Sequence, residues 1–401
     1  MSKASTNEFV PEIRFPEFRG HWIQKTLGES FEERSEKNRS DLPLLSLGEN
    51  GLVYQSETAR KDNSNADKSK YLRVAVGDIA YNTMRMWQGR CVCAGIEGIV
   101  SPAYTVCKPK EGVDGLFHYY LFKTQRMIQV FHQNSQGLVS DTLNLKYDSF
   151  SKIKYLIPPT LAEQEKIAQF LSEADEMISA QEQKVESLKV HKKGLMQQLF
   201  PQPGATTPAL RFPGFTGEWQ FVNGDKLFEP ISNKKHNSDL PILALTQDQG
   251  AVPREMINYN VVVSDKSVAG YKVVEVDDFI ISLRSFQGGI EYSRYKGLCS
   301  PAYIVLRKKD KTLSSDFYRI YFKSFNYIQN LNKNLEGIRD GKMISYQQFS
   351  EIMLPLPTAN EQIMIANCIS SLDEVILLES QKLESLKAHK KGLMQQLFPQ
   401  L

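Results

Sequence analysis

Apolar residues recur with a seven-residue period along two stretches of the chain, residues 159–202 and 357–400. Two rows of positions in each stretch are apolar at eight of ten places. The rows are Ile167, Ala174, Gln181, Leu188, Leu195 with Leu171, Ile178, Val185, Lys192, Leu199, and Ile365, Leu372, Glu379, Leu386, Leu393 with Ile369, Ile376, Leu383, Lys390, Leu397. A period of about 3.5 residues per turn predicts two long helices that pair as a left-handed coiled coil.

Each helix carries a predicted start signal and an internal glycine. Thr160 with Glu163, and Thr358 with Glu361, have the spacing of capping boxes, in which the hydroxyl and the carboxylate satisfy the first free amides. Gly194 and Gly392 fall inside the periodic pattern, where a glycine costs about 1 kcal/mol relative to alanine. Either the helix breaks at these glycines or another group packs closely against them, and the sequence favours neither alternative.

The regions that precede the helices, residues 30–150 and 225–350, contain short apolar runs separated by turn signals. This pattern predicts β-rich domains with strands of about four to seven residues. Within the first region, residues 115–131 have the spacing of a helix. Residues 57–70 form a polar loop without a similar counterpart in the second region. A repeated scaffold with divergent loops is typical of two domains that do the same job on different targets.

The chain is an internal duplication. The segment HKKGLMQQLFPQ occurs at residues 191–202 and again, 198 residues later, at 389–400. The opening segment of each half also recurs, as RFPEFRGHW at residues 14–22 and RFPGFTGEW at 211–219. Two copies of a long unit indicate a duplicated domain rather than a solenoid.

Connectivity predicts how the halves are arranged. Each β-rich region leads into a long helix, so helices that pair with each other must run antiparallel, with the two termini close together. We therefore predict an α+β fold, pseudo-two-fold and quasi-circular, in which two long antiparallel coiled-coil helices join two β-rich domains. The predicted boundaries are 1–158 and 201–356 for the β-rich domains with their opening segment or linker, and 159–200 and 357–401 for the central and distal helices.

Composition narrows the class of protein without deciding it. The net charge is +3, from 49 basic and 46 acidic residues, which does not by itself imply nucleic acid. Five scattered cysteines fit a reducing cytoplasm, and Cys91-x-Cys93 lacks the second pair that a metal site requires. No apolar run reaches the roughly 18 residues of a membrane span, and the first residues lack the apolar core of a signal peptide. We expect a cytoplasmic protein with no membrane partner.

Catalytic motifs are not found in the sequence. There is no phosphate-binding GxxxxGK[ST] loop, no HExxH and no Pro-Asp dipeptide from which a nuclease site could start. The six histidines lack metal spacing, and His191 and His389, on lysine-flanked helix surfaces, are expected to be solvated or partner-facing. We expect no catalytic residue, no metal and no cofactor.

The order of motifs resembles the specificity subunit of a type I restriction–modification system. The resemblance rests on LIPPTLAEQ at residues 156–164 and LPLPTANEQ at 354–362, on VGD at 76–78 and VDD at 276–278, and on SPAY at 101–104 and 300–303. It covers essentially the whole chain. The second copy has Asp277 where the family pattern has glycine, a difference that we expect to be harmless.

The resemblance implies a non-catalytic, sequence-specific DNA-binding subunit. Each β-rich region would be a target recognition domain that reads one half of a bipartite, asymmetric site in double-stranded DNA. The coiled coil would set the spacer and dock two methyltransferase subunits, which two translocase–nuclease subunits would join. Adenine methylation and ATP-dependent cleavage would belong to those subunits. The rival interpretations are a scaffold that does not bind DNA, a methylation-only arrangement and a stand-alone DNA enzyme.

Candidate DNA-binding residues are polar or basic side chains in the predicted loops, since these reach base edges and phosphates. They are Arg60, Lys61, Asn63, Lys68, Lys70, Arg85, Gln88 and Arg90 in the first region, and Lys234, Lys235, His236, Arg284, Gln287, Arg294, Arg339 and Lys342 in the second. Arg85 and Arg284 align at an offset of 199 and are the preferred candidates. The exact repeat supplies the candidate partner-binding residues, which are Lys192, Lys193, Met196, Gln197, Lys390, Lys391, Met394 and Gln395.

Overall fold

A computed structural model describes residues 9–48, 51–58, 64, 66–139, 142–237, 239–257, 268–333 and 344–399. The chain divides into two compact units. Unit 1 comprises Met1–Glu182 with Gln381–Leu401, and unit 2 comprises Gln183–Ser380. Each unit therefore contains one β-rich head, the start of one long helix and the end of the other.

Unit 1 opens with a short strand and builds its head before the first long helix. Its elements are β1 (Ile23–Thr26), α1 (Leu27–Ser30), β2 (Phe31–Glu33), β3 (Leu45–Leu47), β4 (Leu52–Tyr54), β5 (Leu72–Val74), β6 (Ile79–Asn82), β7 (Cys91–Cys93), β8 (Gly98–Val100), β9 (Tyr104–Pro109), α2 (Gly115–Phe122), α3 (Gln125–Asn134), α4 (Tyr147–Phe150), β10 (Lys154–Ile157) and α5 (Leu161–Leu199). Short 3-10 turns lie at Gln55–Glu57 and Met86–Gln88.

Unit 2 repeats this order after the linker. Its elements are β11 (Gln220–Asn223), α6 (Gly224–Leu227), β12 (Phe228–Ile231), β13 (Leu243–Thr246), β14 (Gly250–Pro253), β15 (Lys272–Val274), β16 (Phe279–Ile281), α7 (Ser285–Gly288), β17 (Glu291–Tyr292), β18 (Gly297–Cys299), β19 (Ile304–Lys308), α8 (Ser315–Tyr321), α9 (Phe325–Lys333), α10 (Tyr346–Glu351), β20 (Met353–Leu356) and α11 (Ala359–Gln396). A 3-10 turn lies at Arg254–Met256.

The two heads share one sheet topology. Each has an antiparallel four-stranded sheet, in the order β2-β9-β6-β7 in unit 1 and β12-β19-β16-β17 in unit 2. Two-stranded pairs accompany it, β1-β10, β3-β4 and β5-β8 in one head and β11-β20, β13-β14 and β15-β18 in the other. The predicted duplication of a β-rich domain is confirmed strand by strand. The described strands span two to six residues, shorter than predicted, because turns interrupt the apolar runs early.

The helix predicted over residues 115–131 is two helices. The first, α2, ends at Phe122, and α3 starts at Gln125. Thr124 adopts an extended backbone conformation, with ψ at 144°, and its hydroxyl accepts a hydrogen bond from the Met127 amide. The prediction of one helix was wrong because apolar spacing continues across a residue whose side chain caps a new helix.

Each head encloses an aromatic core that includes the end of a long helix. In unit 1 the rings of Phe31, Phe122 and Phe150 pack together, and Phe398, just after α11, packs against Trp22 at 6.2 Å between ring centroids. In unit 2 the corresponding Phe200, just after α5, packs against Phe317 at 5.6 Å. The Leu-Phe pair near the end of each exact repeat is therefore buried in a head.

The long helices run without a break through their glycines. Helix α5 has 39 residues and α11 has 38. A Cβ atom added at Gly194 or Gly392 would meet no atom within 4 Å. The first alternative expected from the sequence is wrong, since neither helix breaks at its glycine. No group of the described chain packs closely against either glycine, so close packing by a partner stays a prediction.

Helix pairing within each unit is antiparallel. In unit 1, Asp175 and Glu182 of α5 form ion pairs with Lys390 and Lys387 of α11, so one helix ascends as the other descends. In unit 2, the matching ion pairs join Lys184 to Glu379 and Lys192 to Asp373. The opening segment lies beside the last turn of α11, where the Ile13 amide donates to the Gln396 carbonyl at 3.0 Å.

Candidate functional site

A buried ion pair joins the opening segment of unit 1 to the start of α5. Arg14 Nε donates to Glu163 Oε1 at 2.7 Å, and Arg14 Nη2 donates to Glu163 Oε2 at 2.8 Å. The Glu163 side chain is 1% exposed and that of Arg14 is 11% exposed. Trp22 Nε1 adds a third hydrogen bond to Glu163 Oε1 at 3.2 Å. The repeated RFP segment and the repeated Glu-Gln motif are therefore two halves of one contact.

Unit 2 has the same contact with one hydrogen bond fewer. Arg211 donates to both carboxylate oxygens of Glu361, at 2.7 and 2.8 Å. Trp219 Nε1 is buried here without a hydrogen-bond partner among the described residues.

This geometry corrects the predicted capping boxes. The hydroxyls of Thr160 and Thr358 accept hydrogen bonds from the amides of Glu163 and Glu361, each at 3.4 Å, as predicted. Both carboxylates bind an arginine rather than the amide of the capping residue, because a charge-assisted bidentate pair is stronger than one bond to a neutral amide. Only half of each capping box forms.

The glutamines of the same motif form hydrogen bonds that connect each long helix to its head. Gln164 Oε1 accepts from the Asp114 amide at 3.0 Å, and Gln362 Oε1 accepts from the Ser314 amide at 2.9 Å. Asp114 and Ser314 are the N-caps of α2 and α8. The Glu-Gln pair therefore fixes both the opening segment and the head to the start of a long helix, which is a structural role.

The repeated Gly-Asp turn also has a structural role. Asp78 accepts hydrogen bonds from Arg34 and from the Ala75 amide, and Asp278 accepts from Arg307 and from the Glu275 amide. Arg34 follows β2, whereas Arg307 lies on the neighbouring strand β19, so the arginine has changed strand between the units. Asp277 has φ +74°, in the left-handed region that Gly77 occupies at +87°.

Arg85 and Arg284 occupy equivalent places in the two heads. Each follows a central strand of the four-stranded sheet and begins a short helical turn, with φ and ψ of −129° and 3° at Arg85 and −112° and 7° at Arg284. Both side chains are exposed. The structure thus places the two preferred candidates in matching hairpin loops, residues 83–90 and 282–290.

Buried residues anchor these two loops. Met86 and Ser285, directly after the arginines, are buried. Trp87 Nε1 donates to the Met84 carbonyl at 2.9 Å, and the Trp87 ring packs against His132 of α3. The remaining loop candidates, Gln88, Arg90 and Gln287, are exposed, as is Arg294 just beyond β17. A loop whose backbone is anchored and whose polar side chains are exposed can bind a charged surface.

The other sequence candidates lie apart from these loops. Lys70, Lys234 and Lys235 are exposed. Lys68 lies 5.0 Å from the Tyr71 ring centroid, and His236 Nε2 contacts the Tyr271 carbonyl at 3.1 Å. Arg60, Lys61, Asn63, Arg339 and Lys342 lie outside the described residues, so their predicted role stays a prediction.

One exposed loop in unit 1 was not among the predicted contact residues. Leu138 and Val139 are exposed at the tip of a loop whose base is closed by backbone hydrogen bonds between Gln136 and Asn144. The Leu145 amide donates to the Thr83 carbonyl, which ties this loop to the Arg85 loop. The sequence signal that could have found this loop is the pairing of Gly137 with Gly337. The structure gives the reason for glycine at residue 137, because a Cβ added there would lie 2.7 Å from the Thr142 carbonyl.

The exact repeat lines a cleft in unit 1. The cleft has a volume of about 790 Å³ and lies between the end of α11 and the turn between α2 and α3. The α11 side contributes Lys387, Lys390, Lys391, Met394, Gln395 and Phe398. Its described lining contains six basic side chains and a single acidic one, Glu12. Burial lowers the pKa of Arg126, which has no ion-pair partner among the described residues.

Unit 2 has the matching cleft, of about 960 Å³. The equivalent side chains at the end of α5 and just after it line this cleft, namely Lys189, Lys192, Lys193, Met196, Gln197 and Phe200. Its described lining holds six basic and three acidic side chains, so it is less positive than the cleft of unit 1.

The predicted partner-binding residues differ in their accessibility. Lys193, Lys391, Gln197 and Gln395 are exposed. Met196 and Met394 are partly buried against the cores. Lys192 and Lys390 form ion pairs with α11 and α5 of their own units. Of the eight residues, the two glutamines and the two exposed lysines offer the most accessible groups.

The described residues show no cluster of three or more histidine, cysteine, aspartate or glutamate side chains that could hold a metal ion. Burial raises the pKa of Cys91 to about 11 and that of Cys93 to about 12, so both thiols are protonated at neutral pH. None of the described helices combines the length and apolar character that a membrane crossing requires.

Fold and site together define a duplicated protein with two α+β heads, each with an exposed arginine loop and a basic cleft beside a long helix. Comparison with known families identifies the class of protein to which this chain belongs. The profile of the type I restriction modification DNA specificity domain matches twice, over residues 28–190 and 217–388. The chain belongs to this family.

Curated relatives and solved structures agree with this assignment. The chain is 24% identical over 355 residues to the putative type I restriction enzyme MjaX specificity subunit of Methanocaldococcus jannaschii, covering 83% of this chain and 80% of the relative. It is 23% identical over 352 residues to the MjaVIII specificity subunit of the same organism, covering 81% of each.

Two solved structures share the fold. A type I restriction–modification S subunit from M. genitalium superposes with a TM-score of 0.58 at 15% identity, covering 98% of this chain and 100% of the other. A chain from a study of complex assembly and conformational transition of the type I R-M system gives a TM-score of 0.57 at 15% identity, covering 96% and 99%.

Proposed function

We propose that this chain is the DNA-binding specificity subunit of a type I restriction–modification complex, in which each head reads one half of a bipartite, asymmetric site. The observation that carries the proposal is the pair of matching loops that present Arg85 and Arg284 on heads of one topology but divergent surface sequence. The proposal keeps the predicted division into recognition domains 1–158 and 201–356 and helices 159–200 and 357–401. It places the chain in the cytoplasm, where the paired helices set the spacer.

Binding to DNA tests this function directly. The chain, assembled with its methyltransferase subunit, should bind a duplex that carries its full site more tightly than duplexes in which either half is scrambled. Fluorescence anisotropy at fixed salt measures this, because affinity for DNA changes steeply with ionic strength. Equal affinity for all duplexes would contradict sequence-specific reading, and absence of DNA binding would favour the scaffold alternative.

We also propose that the two clefts dock two copies of the methyltransferase subunit. Two copies of one partner can bind the same chain equivalently only if the chain presents the same surface at two places. The six equivalent side chains at the ends of α5 and α11 and just after them provide that surface, and the positive linings favour an acidic surface on the partner. Methylation and cleavage activities would then reside in the docked methyltransferase subunits and in two translocase–nuclease subunits.

Charge reversal tests the docking surface. The double variant Lys193→Glu, Lys391→Glu should lose the assembly of two methyltransferase subunits with one specificity subunit, measured by native mass spectrometry. Lys311→Glu is the control, because Lys311 is exposed but lines neither cleft. An intact assembly in the double variant would contradict the proposal.

A further inference from the structure

The two heads share one exposed loop sequence. Residues 84–89 read MRMWQG and residues 283–288 read LRSFQG, so an apolar residue, arginine, an aromatic residue, glutamine and glycine recur at the same places. The backbone at the arginine is also the same in both heads, within about 20° in φ and ψ. The loop was therefore retained through a duplication in which neighbouring loops changed.

The loop arginines are available for an external contact. Among the described residues, the hydrogen bond of the Arg85 guanidinium is a long one within its loop, from Nη1 to Gln88 Oε1 at 3.5 Å. Neither Arg85 nor Arg284 forms an ion pair with an acidic side chain in the described part of the chain. The preceding residues, Met84 and Leu283, are also exposed, at 50% and 52%.

Recognition of two different half-sites limits what a shared loop can do. Side chains that choose between base pairs must differ between heads that read different sequences. The sequences of residues 57–70 and 254–267 do differ between the halves, so they are the available source of such choice. A feature that both half-sites have in common is the sugar–phosphate backbone, which positions a protein without specifying sequence.

We propose that Arg85 and Arg284 bind DNA phosphates and anchor each head on the duplex, while other loops select the bases. This inference rests on the proposed DNA-binding function and assigns a role to one element of it. Met84 and Leu283 would contact the adjacent deoxyribose.

Salt dependence separates phosphate contacts from base contacts. Arg85→Ala, Arg284→Ala and the double variant are measured in the complete complex, on the full site and on an unrelated duplex, across a salt series. Loss of one phosphate contact reduces the slope of log affinity against log salt by about 0.9. We expect each single variant to weaken binding to both duplexes by the same factor, of about tenfold at low salt, and the double variant to reduce the slope by about 1.8, twice the change of a single variant.

Arg85→Lys and Lys311→Ala complete the design. Lysine retains a point charge but not the planar fork, so Arg85→Lys should restore most of the lost affinity at a phosphate and little at a base. Lys311→Ala should keep the slope of the unaltered complex. Circular dichroism confirms that each variant is folded.

The inference is overturned if Arg85→Ala weakens binding only to the full site, relaxes recognition at one base pair and is not rescued by lysine. That outcome would make Arg85 a base-reading residue and leave the proposed function intact. If the unaltered complex binds no DNA, the proposed function itself fails.

Discussion

Removing Glu163 should release the opening segment of unit 1. Breaking a buried ion pair by deleting one partner costs about 3–5 kcal/mol. Arg14 is 11% exposed and also donates to the carbonyls of Arg19 and Gly20, so we expect the lower end, about 3 kcal/mol. Loss of the Trp22 Nε1 hydrogen bond adds about 1 kcal/mol. Glu163→Ala should therefore destabilise unit 1 by about 4 kcal/mol.

Glu361→Ala is the matched comparison. It removes the same bidentate pair with Arg211, but Trp219 Nε1 has no hydrogen bond to lose among the described residues. The expected cost is about 3 kcal/mol, so the two variants should differ by about 1 kcal/mol.

Hydrogen–deuterium exchange with mass spectrometry resolves the two units, which a single unfolding transition would not. Protection of β1 and its partner β10 should fall by up to roughly 1,000-fold in Glu163→Ala, since about 4 kcal/mol is lost and about 1.4 kcal/mol corresponds to a factor of ten. Arg14→Ala combined with Glu163→Ala should cost less than the sum of the single variants. The reasoning is refuted if the two substitutions are additive or if protection near β1 is unchanged.

Three further predictions follow from single positions. Burial lowers the pKa of His118 to about 4, below its ordinary value. The free energy that the neutral imidazole contributes to folding should therefore be fully present above about pH 6.5 and should fall by about 3 kcal/mol as the pH drops to about 4. Denaturant unfolding at pH 7 and pH 5 should show a loss of stability in the unaltered chain and not in His118→Gln. Gly194→Ala and Gly392→Ala should each stabilise the chain by about 1 kcal/mol in thermal unfolding, because the added Cβ meets open space; a lower stability would mean that the glycines are packed. Asp277→Gly should lower the pKa of Tyr292, which burial and then the hydrogen bond to Asp277 raise; an unchanged ultraviolet titration of the tyrosine would disprove that contact.

Local pattern predicted the elements, and long-range contacts decided what the motif residues do. The seven-residue period predicted both long helices, because the apolar face of a helix is formed by residues that are close together in the sequence. The capping boxes were half wrong because Arg14 and Glu163 are 149 positions apart, and nothing local shows that an arginine will take the carboxylate.

The same limit applies to the candidate site. The offset of 199 identified Arg85 and Arg284 as equivalent, and the structure places them in matching loops. The clefts were not predicted, because each forms only when the end of one long helix meets the head that precedes the other. Lys192 and Lys390 were predicted to face a partner, and in the structure they form ion pairs within their own units. The seven-residue period had already indicated such contacts, because it places both lysines in the rows that face the paired helix.

The central claim is that the two heads together read one bipartite site. Methylome sequencing of a host that carries the complete complex, with and without this chain, tests it most directly. We predict one methylated motif that depends on the chain, with two specified halves around a fixed spacer. Replacement of residues 254–267 should change only one of these two halves. Two or more unrelated motifs, or a replacement that changes both halves, would contradict the claim.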